Sequence, residues 1–523
     1  MAQHDYDIQN DTGANVRQDI NNVLDAIATN NNGNSAPSTT FAHQFFANNT
    51  DSIMQIRDAG NSNFINLFTL AGGPAFPIDG TINSVNIGKG ANSIAGNTVL
   101  GELALDASVS GGNNTAIGKK ALTALTSGAN NTAIGVETLQ TISTASSNTA
   151  IGSGALKLND SGAANTSIGA FALDANDTGS FNTAIGTATL GANTSGNANT
   201  AIGSGSLTAN TTGQNNTGVG RATLNDNTTG SNNTGVGLFS LKANTTGTQN
   251  VAVGANSLDA NTEGGQNVAV GTSALGSNTT ATNNTACGNK ALLSNTTGTN
   301  NVALGAFSLD ANTSADNNTA VGKSALGLNT EGANNSALGT NALDANTTSD
   351  NNTAIGYNSL TLCTGAQNTA LGASAGDVIT SGTNNTSLGY QADPSSATAT
   401  NEVTLGNSSV SAIRCQVQTI TSLSDERDKT DIVDSEDGLD LINALKPRKF
   451  KWAMRDPSDN DGKTELGFIA QEIDAVLGDK NDYIGAVYKS NPEKLEASYG
   501  KFIPILVKAV QELSAKVTAL EAG

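Results

Sequence analysis

From about residue 97 to residue 410, apolar and polar positions recur on a fixed beat. The phrase Asn-Thr-Ala-Ile-Gly and close variants return with the glycine at 101, 118, 135 and so on to 356, always at the step i to i+17. One residue is then dropped, giving Gly372, after which Gly389 and Gly406 resume the period. The residue before the glycine is apolar (Ile117, Ile151, Val219, Val253, Leu304, Ile355), and a leucine stands four after it (Leu122, Leu156, Leu224, Leu258, Leu309, Leu360). The two lie five apart, and on one uninterrupted strand an odd spacing puts them on opposite faces. The pattern therefore predicts a bend at the glycine with both side chains inward. Asn-Thr-Thr-Gly supplies a second corner, since Gly and Asn tolerate positive φ. Each unit reads as two short strands and two turns, stacked as one coil of a β-solenoid or β-roll; so much Gly, Asn and Thr argues against a helical repeat.

At about 4.8 Å per coil, roughly 18 coils would form a rod on the order of 85 Å long. Two large apolar side chains per coil make a thin core, so ladder hydrogen bonds, asparagine stacks and buried alanines are expected to contribute. A thin core also favours pooling apolar faces among chains, most simply in a homotrimer. The repeat absorbs several local signals. Asn-x-Thr sequons such as Asn113-Asn114-Thr115 recur once per coil and read as structure rather than glycosylation. Asp106, Asp174, Asp259, Asp310 and Asp344 all fall five after a motif glycine and read as a solvated ladder, calcium being the weaker alternative. Cys287 takes the place of the inward Ile and reads as a buried small hydrophobe. Cys363 replaces a turn Asn, and it and Cys415 read as free thiols. The threonine column is explained by β-propensity, with an ice-binding ladder as the remote alternative.

Composition sharpens this picture. The 523 residues include 58 Gly and only 13% are charged, and 37% hydrophobic with 4% aromatic residues is too few for the three or four conventional cores that the length suggests. The net charge of −20 argues against nucleic acid or an anionic membrane surface as partner. No run of about 18 apolar residues exists, and Met1-Ala2-Gln3-His4-Asp5 begins no signal peptide, so no membrane insertion is expected. No cofactor or metal is expected either: the three cysteines form no zinc spacing. Charge is unevenly spread, with 34 of the 70 charged residues between 424 and 523, which places a domain boundary near Ser424.

The C-terminal region carries three motifs in order: S-L-S-D-E-R-D-K-T-D-I from Ser422, L-K-P-R-K-F-K-W from Leu445 to Trp452, and G-F-I-A-Q-E-I from Gly467 to Ile473. Together they resemble the intramolecular chaperone domain at the end of phage tailspikes, fibres and endosialidases, classed as an auto-processing peptidase. The resemblance implies a domain that trimerises, templates the folding of the preceding β-shaft and cuts itself off by a Ser/Lys mechanism. It assigns the nucleophile to Ser424 and the base to Lys429, with Asp425 and Arg427 at flanking positions. From chemistry alone, a partly desolvated lysine can take the proton of a serine, whereas a Ser and a Lys in a charged loop are ordinarily solvated surface. The two histidines, His4 and His43, lie far away in sequence, so a Ser/His/Asp triad is not expected here. The scissile bond should adjoin Ser424 on one side or the other. Leu506, Val510, Leu513, Val517 and Leu520 are spaced as a short heptad seam, the alternative being a helix packed on its own domain.

At the other end, Val16, Ile20, Val23, Leu24 and Ile27 share one helical face, and residues 41–46 and 53–56 read as strands of a small sheet. The segment Y-D-I-x-N-x-T-G-A-N-V-R-Q-D-I-N resembles the N-terminal segments of tail fibres from marine phages; a cap on the first coil is the plainer reading. The repeat itself resembles phage fibre shafts and the head repeats of trimeric autotransporter adhesins. The expected protein is mainly β: an elongated homotrimeric β-solenoid shaft with a small α+β head and an α+β chaperone domain ending in a long helix. Its parts are residues 1–90 for tail attachment, 91–372 for the shaft, 373–423 for a distal tip and 424–523 for the chaperone. The expected function is that of a virion tail fibre, made in the host cytoplasm, with a host surface receptor, a glycan among the candidates, bound near Tyr390 and Arg414. Cleavage in cis would be its only enzymatic act. A tailspike depolymerase and a cellular adhesin are the alternatives.

Overall fold

A computed structural model describes residues 32–33, 45–48, 53–57, 64–69, 80–82, 84–410, 412–414, 424–451, 464–489 and 495–523. The helix expected over residues 16–27, the start of the strand expected from Phe41, Trp452 and Cys415 lie outside the described residues. The chain divides into two units, residues 1–236 and 237–523.

In the first unit a four-stranded sheet is formed by β1 (Asn32–Gly33), β2 (Phe45–Asn48), β3 (Ile53–Arg57) and β4 (Phe64–Thr69). β1 and β2 run parallel, while β2–β3 and β3–β4 are antiparallel, with Phe46 buried. The solenoid starts with an antiparallel device. Val85–Gly88 pairs with Gly80–Ile82 on one side and with the first coil strand, Thr98–Gly101, on the other. Thr98–Gly101 then pairs in parallel with Thr115–Ile117, and the parallel ladder continues in sequence order through Thr234–Val236. The second unit holds the same ladder from Val251–Val253 to Val403–Leu405.

Mainly β architecture with one coil per sequence period is as expected, but the interior of the coil differs. Each coil contributes one short strand rather than two. Within it the middle residue faces inward: Ala116, Ala150 and Ala303 are fully buried. The flanking residues point outward, so the apolar residue before the glycine, expected inside, forms a half-exposed outer column that includes Ile168, Ile202, Val253 and Leu304. Strand alternation explains this: if Ala at the second position packs inward, the third cannot. Cys287 stands in that outer column and is exposed, correcting its reading as a buried hydrophobe.

The leucine four after the glycine is buried as expected, but in a turn. Leu122 has φ 54° and Leu173 φ 52°, and the same left-handed conformation recurs along the column. Such a conformation costs a non-glycine residue about 1–3 kcal/mol, which full burial of a leucine, about 1.5–3 kcal/mol, offsets. Its N–H bonds to the next coil, Leu122 N donating to Thr138 O at 3.1 Å.

The rest of the interior is amide. One column, Asn114, Asn131, Asn148 and onward, is fully buried; each backbone N–H donates to the preceding Oδ1, as from Asn131 to Asn114 at 3.0 Å. In the second column Asn176 Nδ2 donates to Asn159 Oδ1 at 2.6 Å and Asn193 Nδ2 to Asn176 Oδ1 at 2.7 Å. Both columns converge on one carbonyl per coil: Gly196 O accepts from Asn182 and Asn193 Nδ2. Buried amides are tolerable because the stack satisfies them.

The second column ends where position 363 is cysteine and the coil is one residue short. Asn346 Oδ1 and Asn352 Nδ2 are buried there with no hydrogen-bond partner. Cys363 is a free, fully buried thiol, and burial pushes its pKa up.

Close stacking also explains the invariant beat of the glycine. At Gly254 φ is 133°, a region open essentially to glycine, and an added Cβ would stand 2.5 Å from Gly271 O. Gly254→Ala is expected to destabilise the second unit by more than about 3 kcal/mol, read as a lower Tm for loss of β circular dichroism. Gly500→Ala, which has open space around it, is the matched control.

Asp174, Asp259, Asp310 and Asp344 are partly buried rather than fully solvated, and burial raises each carboxyl pKa. Asp393 is pushed up to about 6 by burial and then by the charge of Asp377. For a raised carboxyl the folded state binds the proton more tightly, so stability is fully present below about pH 4 and declines as pH rises through about 6. Asp393→Asn should therefore raise stability at about pH 7.5 by about 1 kcal/mol, after discounting for half exposure, and leave it unchanged near pH 3.5. A Tm–pH profile of the two proteins reads this; a gain that is the same at both pH values would contradict it.

Candidate autoprocessing site

Ser424 to Lys429 form a single exposed turn. Asp425 caps it: its Oδ1 accepts from Arg427 N at 2.9 Å, and Lys429 N donates to Glu426 O at 3.1 Å to close it. The Arg427 guanidinium reaches back to both Asp425 oxygens, at 3.0 and 2.5 Å, and holds that carboxyl below the usual range. This folds the segment so that its first and last residues meet. Lys429 Nζ lies 2.6 Å from Ser424 Oγ and 3.3 Å from Ser424 O. The two residues singled out by the motif are therefore within proton-transfer distance. A lysine acts as a base when its ammonium is desolvated, and Lys429 is exposed in the single chain.

The other two motifs build the domain behind this turn. Arg448–Lys451, from the second, pairs antiparallel with Thr464–Gly467, which leads into the third. Arg448 clasps Glu472 through two hydrogen bonds of 2.8 and 2.6 Å, tying the motifs together. Helices α1 (Leu439–Ala444), α2 (Ala470–Leu477), α3 (Asn481–Ile484) and α4 (Ile503–Ala522) surround a core of Leu441, Leu445, Ile473, Leu477, Ile484, Val487, Phe502 and Ile505. Two polar links were not visible in the motifs. Glu512 on α4 accepts from Leu439 N at 2.8 Å and caps α1, packing its carboxylate close over Gly438. Asp437 is buried, accepts from Lys480 and Tyr483, and is held below its ordinary pKa by them.

On α4 the domain uses Ile505 and Ala509, both buried. The heptad seam Leu506, Val510, Leu513, Val517 and Leu520 is exposed, so the seam is not what packs the helix on its own domain. Among the described residues no helix is long and apolar enough to cross a membrane.

Residues 424–481 match a protein family described as the chaperone of endosialidase, Peptidase_S74, and the match begins at Ser424. The chain thus carries a long β-solenoid together with a C-terminal domain of the endosialidase chaperone family. That pairing is consistent with a phage tail fibre or endosialidase-type protein. Neither the curated proteins nor the solved structures give a match.

Proposed function

We propose that this chain is a phage tail fibre that assembles as a homotrimer and releases its C-terminal chaperone by cutting itself beside Ser424. The observation that carries the reading is the Ser424–Lys429 contact at the start of a chaperone-family domain that follows a solenoid. Ser424 Oγ would attack an adjoining carbonyl carbon, its proton passing to Lys429 Nζ; the peptide C–N bond then breaks as Lys429 returns that proton to the leaving nitrogen, which becomes a free amine, and water hydrolyses the ester to a carboxylate and restores the Ser424 hydroxyl. Because Lys429 is exposed in one chain, burial beneath neighbouring copies is what would desolvate it, which couples cleavage to assembly.

Two unpartnered apolar features support association of identical chains. One is the α4 seam. The other is the outer column of Ile, Val and Leu beside each coil glycine, a regular apolar ladder of the kind buried between copies in homo-oligomers. Within this reading, residues 1–90 attach to the tail and the distal segment meets the host. The direct test is mass. A trimer is expected under native conditions, and in denaturant two pieces that divide beside Ser424, the larger carrying the solenoid and the smaller carrying α4. An intact monomer under both conditions would refute both halves of the proposal.

A further inference from the structure

Along the solenoid, the residue just after each glycine forms an outer column that is aromatic at two positions only, Tyr357 and Tyr390. The rungs are fixed by the ladder. Leu371 pairs with Ile355 on one side and Leu388 on the other; Ser374 N donates to Tyr357 O at 2.8 Å, and Gln391 N to Ala373 O at 3.1 Å. Tyr357, Ala373 and Tyr390 therefore follow one another in one column, the two phenols two coils apart with a methyl group between them. Two rungs span about 9–10 Å. Both tyrosines are exposed, at 57% and 60%, so their rings stand free of the coil.

Two aromatic side chains at that spacing leave room for one ring between them, since contact at about 3.5–4 Å on each face needs roughly 7–8 Å. The floor is the small Ala373, and the neighbouring column supplies amide and hydroxyl groups from Asn358, Ser374 and Gln391. Apolar walls with a polar rim suit a pyranose, whose C–H faces are apolar and whose edge is hydroxyl. Charge narrows the class: residues 324–413 hold six acidic side chains, Glu331, Asp344, Asp350, Asp377, Asp393 and Glu402, and no Lys or Arg. Such a stretch repels anionic sugars.

We infer that Tyr357 and Tyr390 form a binding slot for a neutral hexose or N-acetylhexosamine unit of a surface glycan, with Ala373 as its floor. This rests on the tail-fibre reading and names the chemistry of its receptor.

The test uses the full-length protein as purified, its native and denatured masses checked on the same sample, against immobilised neutral oligosaccharides of glucose, galactose and N-acetylglucosamine. Sialylated, sulfated and phosphocholine-bearing glycans serve as the charged arms. Binding to at least one neutral probe is expected. It should weaken about tenfold in Tyr357→Ala and in Tyr390→Ala, equivalent to about 1.4 kcal/mol each, and in Ala373→Leu, which fills the slot. Tyr357→Phe should retain it, because the ring face rather than the hydroxyl makes the wall. Absence of neutral binding, binding confined to charged probes, or neutral binding unaffected by the tyrosine changes would each overturn the inference. A cleaved trimer that binds no neutral probe would sink the slot alone; an uncleaved monomer would sink the tail-fibre reading as well.

Discussion

Ser424→Ala should yield only the intact 523-residue chain on a denaturing gel, where the unaltered protein should give the shortened product. Without Oγ there is no attacking atom, and the exposed turn that bears it is held by Asp425 and Arg427 rather than by the serine side chain. The domain should therefore fold and assemble normally, separating chemistry from structure. Lys429→Met should slow cleavage at least about 100-fold, the scale of a lost general base. Lys429→Arg should fail similarly, since a guanidinium does not give up its proton. Persistence of the shortened product at the original rate in Ser424→Ala would remove Ser424 from the reaction, whatever the oligomeric state.

A charge in the α4 seam should separate the chains. Leu513 is exposed and makes no part of the domain core, whereas Ile505 is buried within it. Leu513→Asp forfeits roughly 1.5–3 kcal/mol of apolar burial per chain and places a carboxylate in an apolar contact. Association is expected to weaken at least about 100-fold, seen as a shift of native mass from three chains to one. Because desolvation of Lys429 depends on neighbours, the same variant should remain uncleaved although Ser424 and Lys429 are both intact. Ile505→Ala provides the contrast, lowering domain Tm by removing core contacts. If Leu513→Asp assembles normally, the seam is not the contact between copies, and the outer column of the solenoid becomes the surface to alter.

The beat of glycines was plain from sequence because backbone geometry enforces it: where a Cβ would strike the next coil's carbonyl, no other residue substitutes. The orientation of the coil was harder to read. Ranking side chains by hydrophobicity sends Ile117 inward, but the short strand alternates, and the space beside the leucine is filled mostly by alanine, with serine or glycine in some coils. The asparagines were legible as turn formers, yet most of their work is inside, where each amide is satisfied by the same residue one coil away together with a backbone carbonyl. No local pattern shows that. Similarly, the Ser424–Lys429 pair was legible because a short turn joins them, whereas the Glu512 cap on α1 joins positions far apart in the chain and has no local signature.

The two amide ladders also govern how such a chain can change its length. Within the run from Asn159 to Asn346 each coil offers the same donors and acceptors to its neighbours, so there the ladder has no preferred number of rungs, and adding or removing one whole period leaves every internal amide satisfied. Removing a single residue does not. The short coil before Gly372, where Cys363 also breaks the second column, holds the orphaned Asn346 Oδ1 and Asn352 Nδ2. Length in this protein is therefore quantised: in-frame gain or loss of the codons for a complete coil is structurally silent, and smaller steps leave a permanent mark in the stack.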